Sequence, residues 1–272
     1  MRAAFGLAGL ILFAFCIGAG TSAAQAATRS LYLEDLTWTE LRDDIAAGKT
    51  TVIVPIGATE QNGPWMALGK HNVRAKLLSE KIARTLGDAL VAPVISYVPE
   101  GQVDPPTQHM RFPGTITIPE TAFEQTLEYA ARSFKRAGFR DIVFLGDHGG
   151  YQKSESAVAA RLNREWQAQG TRAHAIEEYY RSTETAYVEM LKRRGYSREE
   201  IGSHAGLADT ALTLALAPDL VRTAPLASAA KPTAAQGVHG DPRPATAELG
   251  RLGVDIIVAQ TVAAIRKATM RR

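Results

Sequence analysis

The chain is expected to fold as an α/β protein, with a mostly parallel sheet covered by helices on both faces. Three observations lead there. Two short β-branched runs, TVIVPI at Thr51–Ile56 and DIVFL at residues 141–145, read as strands buried on both faces. Segments with apolar residues at helical spacing alternate with such runs. The polar clusters follow the strands at their carboxyl ends, where open α/β sheets place ligands.

The first 26 of the 272 residues read as a secretory leader rather than as part of the fold. Arg2 is the only charged residue before Arg29, an apolar run covers residues 7–17, and Ala24-Gln25-Ala26 closes the pattern. The run is shorter than the roughly 20 residues a spanning helix needs, so an uncleaved anchor is the weaker reading. Phe15, where a small residue would be needed, speaks against a lipoprotein at Cys16. Residues 27–272 then form one domain of a size that suits a single α/β core, located in the periplasm or secreted, with no membrane span left.

Cys16 is the only cysteine and departs with the leader, which excludes disulfides, a thiol nucleophile and a cysteine-ligated metal. Without Arg2 the formal charge falls from +3 to +2. No Lys/Arg cluster with interleaved aromatics occurs, so nucleic acid is not an expected partner.

Along the chain, the strand at Thr51–Ile56 is entered from Gly48 and left at Gly57. A helix over residues 72–86 follows from the spacing of Val73, Leu77, Leu78, Ile82 and Leu86. Residues 90–98 and 115–118 read as strands. Pro119 and Glu120 open a helix that carries Phe123, Leu127, Ala131 and Phe134 on one face. After the strand at 141–145 come a helix over 154–169, a weak strand over 172–177, and helices over 208–216 and 253–266. Residues 227–240, rich in Ala, Pro and Gly, read as a surface loop or flap.

Four clusters carry candidate chemistry. Glu60, Asn62 and His71 lie in a glycine-punctuated loop after the first strand, where they either meet a ligand or serve as loop and cap residues. Asp147, His148, Gly149 and Gly150 follow the DIVFL strand; glycines around a histidine leave room for close approach, and Asp147 suits either an orienting role or a helix cap. His204 and Asp209 stand five residues apart at a helix start, as a proton-moving imidazole with its orienting carboxylate or as simple capping groups. His109 precedes a short strand and reads on its own as a surface-loop histidine. His174 reads as structural, Glu177 and Glu178 as solvated, and His239 as part of the flap. No Walker A, GxGxxG, GxSxG or HExxH motif occurs.

Taken in order, EQNGPWMALGKHN, QHMRFPGT, GDHGGYQ and HAGLADTA resemble the motifs of the creatininase (creatinine amidohydrolase) family, over nearly all of the mature chain. The resemblance implies a three-layer α/β/α sandwich, often assembled as a homo-oligomeric hexamer. It also implies a divalent metal such as zinc or manganese, and hydrolysis of a carbon–nitrogen bond in a small cyclic or linear amide. By position it makes Glu60 and His148 metal ligands, places His204 near substrate, and puts Asp209 where the family has Glu. The chain departs from the pattern at Asn62, where the family has a ligand His; at His71, where it has a bridging Asp; at Leu207, where it has an acid; and at Trp65, where it has His. Glu60, His71 and His148 then form the expected set for a single zinc, with manganese possible. His204, Asp209 and His109 are the expected catalytic groups, and Asn62, Trp65, Asp147, Gly149 and Gly150 the supporting ones. The competing reading is an exported protein that binds a ligand or metal on this fold without catalysis.

Overall fold

In the computed structural model, which describes residues 29–270, β1 (Thr51–Ile56), β2 (Ala89–Val91), β3 (Asp141–Gly146) and β4 (Arg172–Ala175) form one parallel sheet in the order β2-β1-β3-β4. The expected leader lies outside the described residues. Among those residues no helix is long and apolar enough to cross a membrane.

Among the described residues ten α-helices accompany the strands: α1 (Trp38–Ala46), α2 (Lys70–Leu86), α3 (Glu120–Ala137), α4 (Gln152–Glu165), α5 (Glu178–Glu184), α6 (Ala186–Arg193), α7 (Arg198–Ile201), α8 (Leu207–Leu216), α9 (Thr223–Ala227) and α10 (Ala247–Thr269). Side chains alternate across β1 with the strand period of two. Val52, Val54 and Ile56 pack with Phe123 and Leu127 of α3 and Val158 and Leu162 of α4. Ile53 faces the other way, into a core shared with α2, α5, α8 and α10 through Leu78, Tyr179, Leu207 and Ile257. β1, β2 and β3 are buried on both faces and the edge strand β4 only in part, and the result is the expected three-layer sandwich.

Three sequence expectations are corrected. Residues 90–98 do not form one strand: Pro93 has no N–H to donate. The chain is regular only over β2, then touches the sheet at a single bridge, Ile95 with Ile56, and pairs Val98 with Thr117 outside it. Residues 115–118 accordingly contribute that bridge and no strand. The terminal helix is longer than expected, because Gly250 and Gly253 let α10 lie against α8 and Tyr187. A Cβ at Gly250 would fall 1.9 Å from the Ala211 carbonyl oxygen.

The strand order fixes where a ligand can sit. The chain leaves β1 for β2 on one side, then returns to β3 on the other side of β1. The carboxyl ends of β1 and β3 therefore flank the point where the winding reverses, the usual ligand crevice of such sheets. Gly57 to Glu60 extend from one end, and Asp147 and His148 from the other.

Candidate metal centre

Glu60 is the hub of the site and is fully buried. Its Oε1 is 2.7 Å from His71 Nε2 and 3.7 Å from His204 Nδ1, and its Oε2 is 3.3 Å from His109 Nε2 and 3.6 Å from His148 Nε2. Glu100, equally buried, reaches in from the opposite side, 3.7 Å from His148 Nδ1. Its backbone N–H is held by Thr117 Oγ1, so the irregular stretch after β2 brings this carboxylate over the sheet.

Burial and the adjacent Glu60 charge push the Glu100 carboxyl up to about 9. Burial acts on Glu60 too, but His71, His148 and Lys70 overcome it and hold that carboxyl well below its usual range. The pair therefore keeps one proton near neutrality, on Glu100. Burial lowers His148 to about 4, lowers His109, and together with the Lys70 charge lowers His204 to about 3. These imidazoles are neutral and keep a lone pair.

Glu60, Glu100, His109 and His148 each offer one donor atom, all within 4.8 Å of one another. Glu60 Oε2 and both oxygens of Glu100 are buried and meet no N–H or hydroxyl donor of the protein, only the one proton that the two carboxyls hold between them. Buried carboxylate oxygens without such donors are costly unless a cation meets them. Two carboxylates and two imidazoles are a donor set that zinc or manganese accepts. The residues present thus fit a divalent ion.

His71 stands apart from that group. Both of its nitrogens already face carboxylates, Glu60 on one side and Asp147 Oδ2 at 2.6 Å on the other. Asp147 also accepts from Arg74 Nε at 2.7 Å and from the Tyr179 hydroxyl at 2.8 Å. Asn62 turns its amide inward to the loop, donating to the carbonyls of Glu60 and Ala67 at 2.9 and 3.0 Å. Trp65 packs in an apolar cluster with Met66, Val221, Leu226 and Val238. Gly149 and Gly150 have steric reasons: a Cβ would meet the Tyr180 hydroxyl at 2.8 Å or the His148 ring at 3.1 Å. The Gly150 N–H also donates to His148 Nδ1.

Asp209 does not orient His204. Its oxygens are taken by Arg74 at 2.8 Å, by Lys70 at 2.9 Å and by the Ala205 N–H at 2.9 Å. His204 is held instead by Gln61, whose backbone carbonyl oxygen lies 2.9 Å from His204 Nε2 and whose side-chain nitrogen lies 3.0 Å from His109 Nδ1. Gln108 and Ala205, beside those two histidines, adopt left-handed backbone at φ 48° and 52°, a strain that non-glycine residues carry mainly at functional positions. A cleft of about 490 Å³ opens above, lined by Gln61, His109, Arg111, Phe112, His204 and His239.

Asp209→Asn should therefore act on stability, because it leaves the fully buried Lys70 ammonium without its counter-ion. Breaking a buried pair costs roughly 3–5 kcal/mol. With 19% of the Asp209 side chain exposed, about 3 kcal/mol is expected. Urea unfolding would read this as a lower midpoint at unchanged slope; a loss under about 0.5 kcal/mol, ordinary for a surface change, would show the pair to be idle.

Fold and site together define a metal-dependent enzyme on an α/β/α sandwich. Residues 34–265 match the sequence profile of the creatininase family, described as creatinine amidohydrolase, and the chain belongs to that family of metal-dependent hydrolases of carbon–nitrogen bonds. It is 28% identical over 199 residues to the creatinine amidohydrolase of Pseudomonas putida, covering 71% of this chain and 75% of that protein. It is 29% identical over 220 residues to the mycofactocin precursor peptide peptidase of Mycolicibacterium smegmatis, covering 73% and 77%. The structure of a mutant creatininase of Zn-Zn type superposes with a TM-score of 0.70 at 26% identity, over 89% of this chain and 99% of that one.

Proposed function

We propose that this protein is an exported amidohydrolase that holds a divalent ion, zinc or manganese, on Glu60, Glu100, His109 and His148 and opens a carbon–nitrogen bond in a cyclic or linear amide. The observation that carries the reading is the set of three buried carboxylate oxygens that meet no N–H or hydroxyl donor of the protein and face two neutral imidazoles. A divalent ion supplies Lewis-acid polarisation of a carbonyl and lowers the pKa of water. His204 is the proton carrier: with Nε2–H donated to the Gln61 carbonyl oxygen at 2.9 Å, Nδ1 is open to take a proton and pass it to the leaving nitrogen. Gln61 positions both His109 and His204. Phe112, Ala234 and Ala235 give the cleft an apolar side against which the amide's carbon skeleton packs. Trp65, where the family has His, packs in the apolar cluster and does not line the cleft. The test is turnover of a panel of cyclic and linear amides by the zinc- or manganese-loaded protein. Hydrolysis should vanish with a chelator and return with the ion; tight ligand or metal binding with no turnover of any amide would favour the non-catalytic reading.

Ion uptake should release a proton. Glu100 is protonated below about 9 and must lose that proton to become a ligand, whereas His148, near 4, has none to lose. Apparent affinity should therefore rise about tenfold per pH unit from roughly 5 to 9. Calorimetric titration in two buffers of different ionisation enthalpy would count about one proton; a count of zero would remove Glu100 from the ligand set.

Export rests on the leader pattern of Arg2, the apolar run and Ala24-Gln25-Ala26. N-terminal sequencing of protein from the periplasmic or culture fraction should begin near Ala27. Intact Met1 on cytoplasmic protein would end that part of the proposal.

A further inference from the structure

The first turn of α2 breaks a local rule. Helix N-termini favour acids and disfavour cations, yet α2 begins with Lys70 and His71, places Arg74 one turn on, and has no acidic residue there. All three are buried, and the Lys70 side chain has no exposed surface. Such a conflict persists only where something else holds it, and here Asp147 and Asp209 do. Arg74 bridges them at 2.7 and 2.8 Å, Lys70 binds Asp209 at 2.9 Å, and His71 spans from Asp147 to Glu60 Oε1.

We infer that the protein carries its own second cation: the Lys70–His71–Arg74 face of α2 fills the space beside Glu60 Oε1 and limits the chain to one divalent ion. The inference rests on the ligand set proposed above. Glu60 Oε2 faces Glu100, His109 and His148, which leaves Oε1 as the only oxygen of that residue open to a second ion. Oε1 is taken by His71, and the carboxylates beyond it, Asp147 and Asp209, are already matched by a guanidinium and an ammonium. Asn62, in the same loop, donates its amide to backbone carbonyls. Among the described residues no second group of three donors converges. A second divalent ion there would meet the Lys70 charge, whose influence already reaches Glu60, Glu100, His148 and His204. The residues of this chain therefore do not fit a two-ion centre, and no step of the reaction depends on one.

The experiment is saturation of the full purified chain with Zn(II), removal of free ion, and elemental analysis, with the electron paramagnetic resonance spectrum of the Mn(II)-loaded protein alongside. About one ion per chain and the six-line signal of an isolated Mn(II) are expected. The double variant Lys70→Met with His71→Asp, which removes the ammonium and supplies a carboxylate, should rise to about two. Two ions in the unaltered protein, or an exchange-coupled Mn(II) pair, would overturn the inference and leave the hydrolase proposal standing. A folded double variant that still binds one ion would also overturn it, since the cations would then not be what excludes the second. No ion in the unaltered protein would remove both. If the double variant does not fold, the Mn(II) spectrum of the unaltered chain decides alone.

Discussion

His148→Ala is expected to abolish ion binding and hydrolysis together. Structural zinc is held with about 10–16 kcal/mol, so one of four ligands carries roughly 2.5–4 kcal/mol, or about 10²–10³ in affinity. Glu60, Glu100 and His109 would remain with one donor fewer among them, and an affinity lowered by that factor would empty the site where free ion is scarce. The fold should hold, because His148 sits at the solvent-facing end of the sheet with 18% of its side chain exposed. Metal content and turnover measured on the same sample check this. A His148→Ala protein with full activity would end the metallohydrolase reading.

His204→Ala separates proton transfer from ion binding. His204 is not in the four-residue group, and Gln61, not an acid, positions it. The variant should keep its ion and lose about 10²–10⁴ in turnover, the usual share of a positioned proton carrier. An ion-free variant would make His204 a ligand; an unchanged rate would remove it from the reaction. The contrast with Asp209→Asn is informative: a carboxylate that oriented His204 would lower the rate, whereas one that anchors Lys70 and Arg74 lowers stability first.

How much of this was legible in the sequence follows from which forces are local. Strand and helix periods report burial, so β1, β3, α3 and the layered α/β sandwich could be read directly. The helices α5, α6 and α7 were missed because they are short, 7, 8 and 4 residues, and their stability comes from packing on α10 and α8. Glu60, His148 and His204 were legible because each lies just past a strand or before a helix within a glycine-bearing motif. Glu100 was not: it sits past Val98 in a stretch whose regularity Pro93 destroys, and only the Ile95 and Val98 bridges carry it over the sheet. His71 shows the opposite failure. Its residue type suits a ligand, but partners 76 residues away decide its use, and spacing holds no record of Asp147 at that distance. The cations that open α2 were the overlooked signal, since their conflict with the helix dipole is visible in the sequence alone.

The segment that ends at His239 has a further consequence. It is stitched to the rest of the molecule by the antiparallel bridge between His204 and His239, and Gly237 and Val238 press against Gln61 and Gly63. The four candidate ion ligands all come from residues 60–148, while this segment and His204 build the facing wall of the cleft. The candidate ion ligands and the wall that faces them are thus written in separate stretches of chain. Loops on a rigid scaffold vary more freely than the scaffold, so exchange of residues 227–240 between relatives would retune which amide is accepted while the ion site is inherited intact.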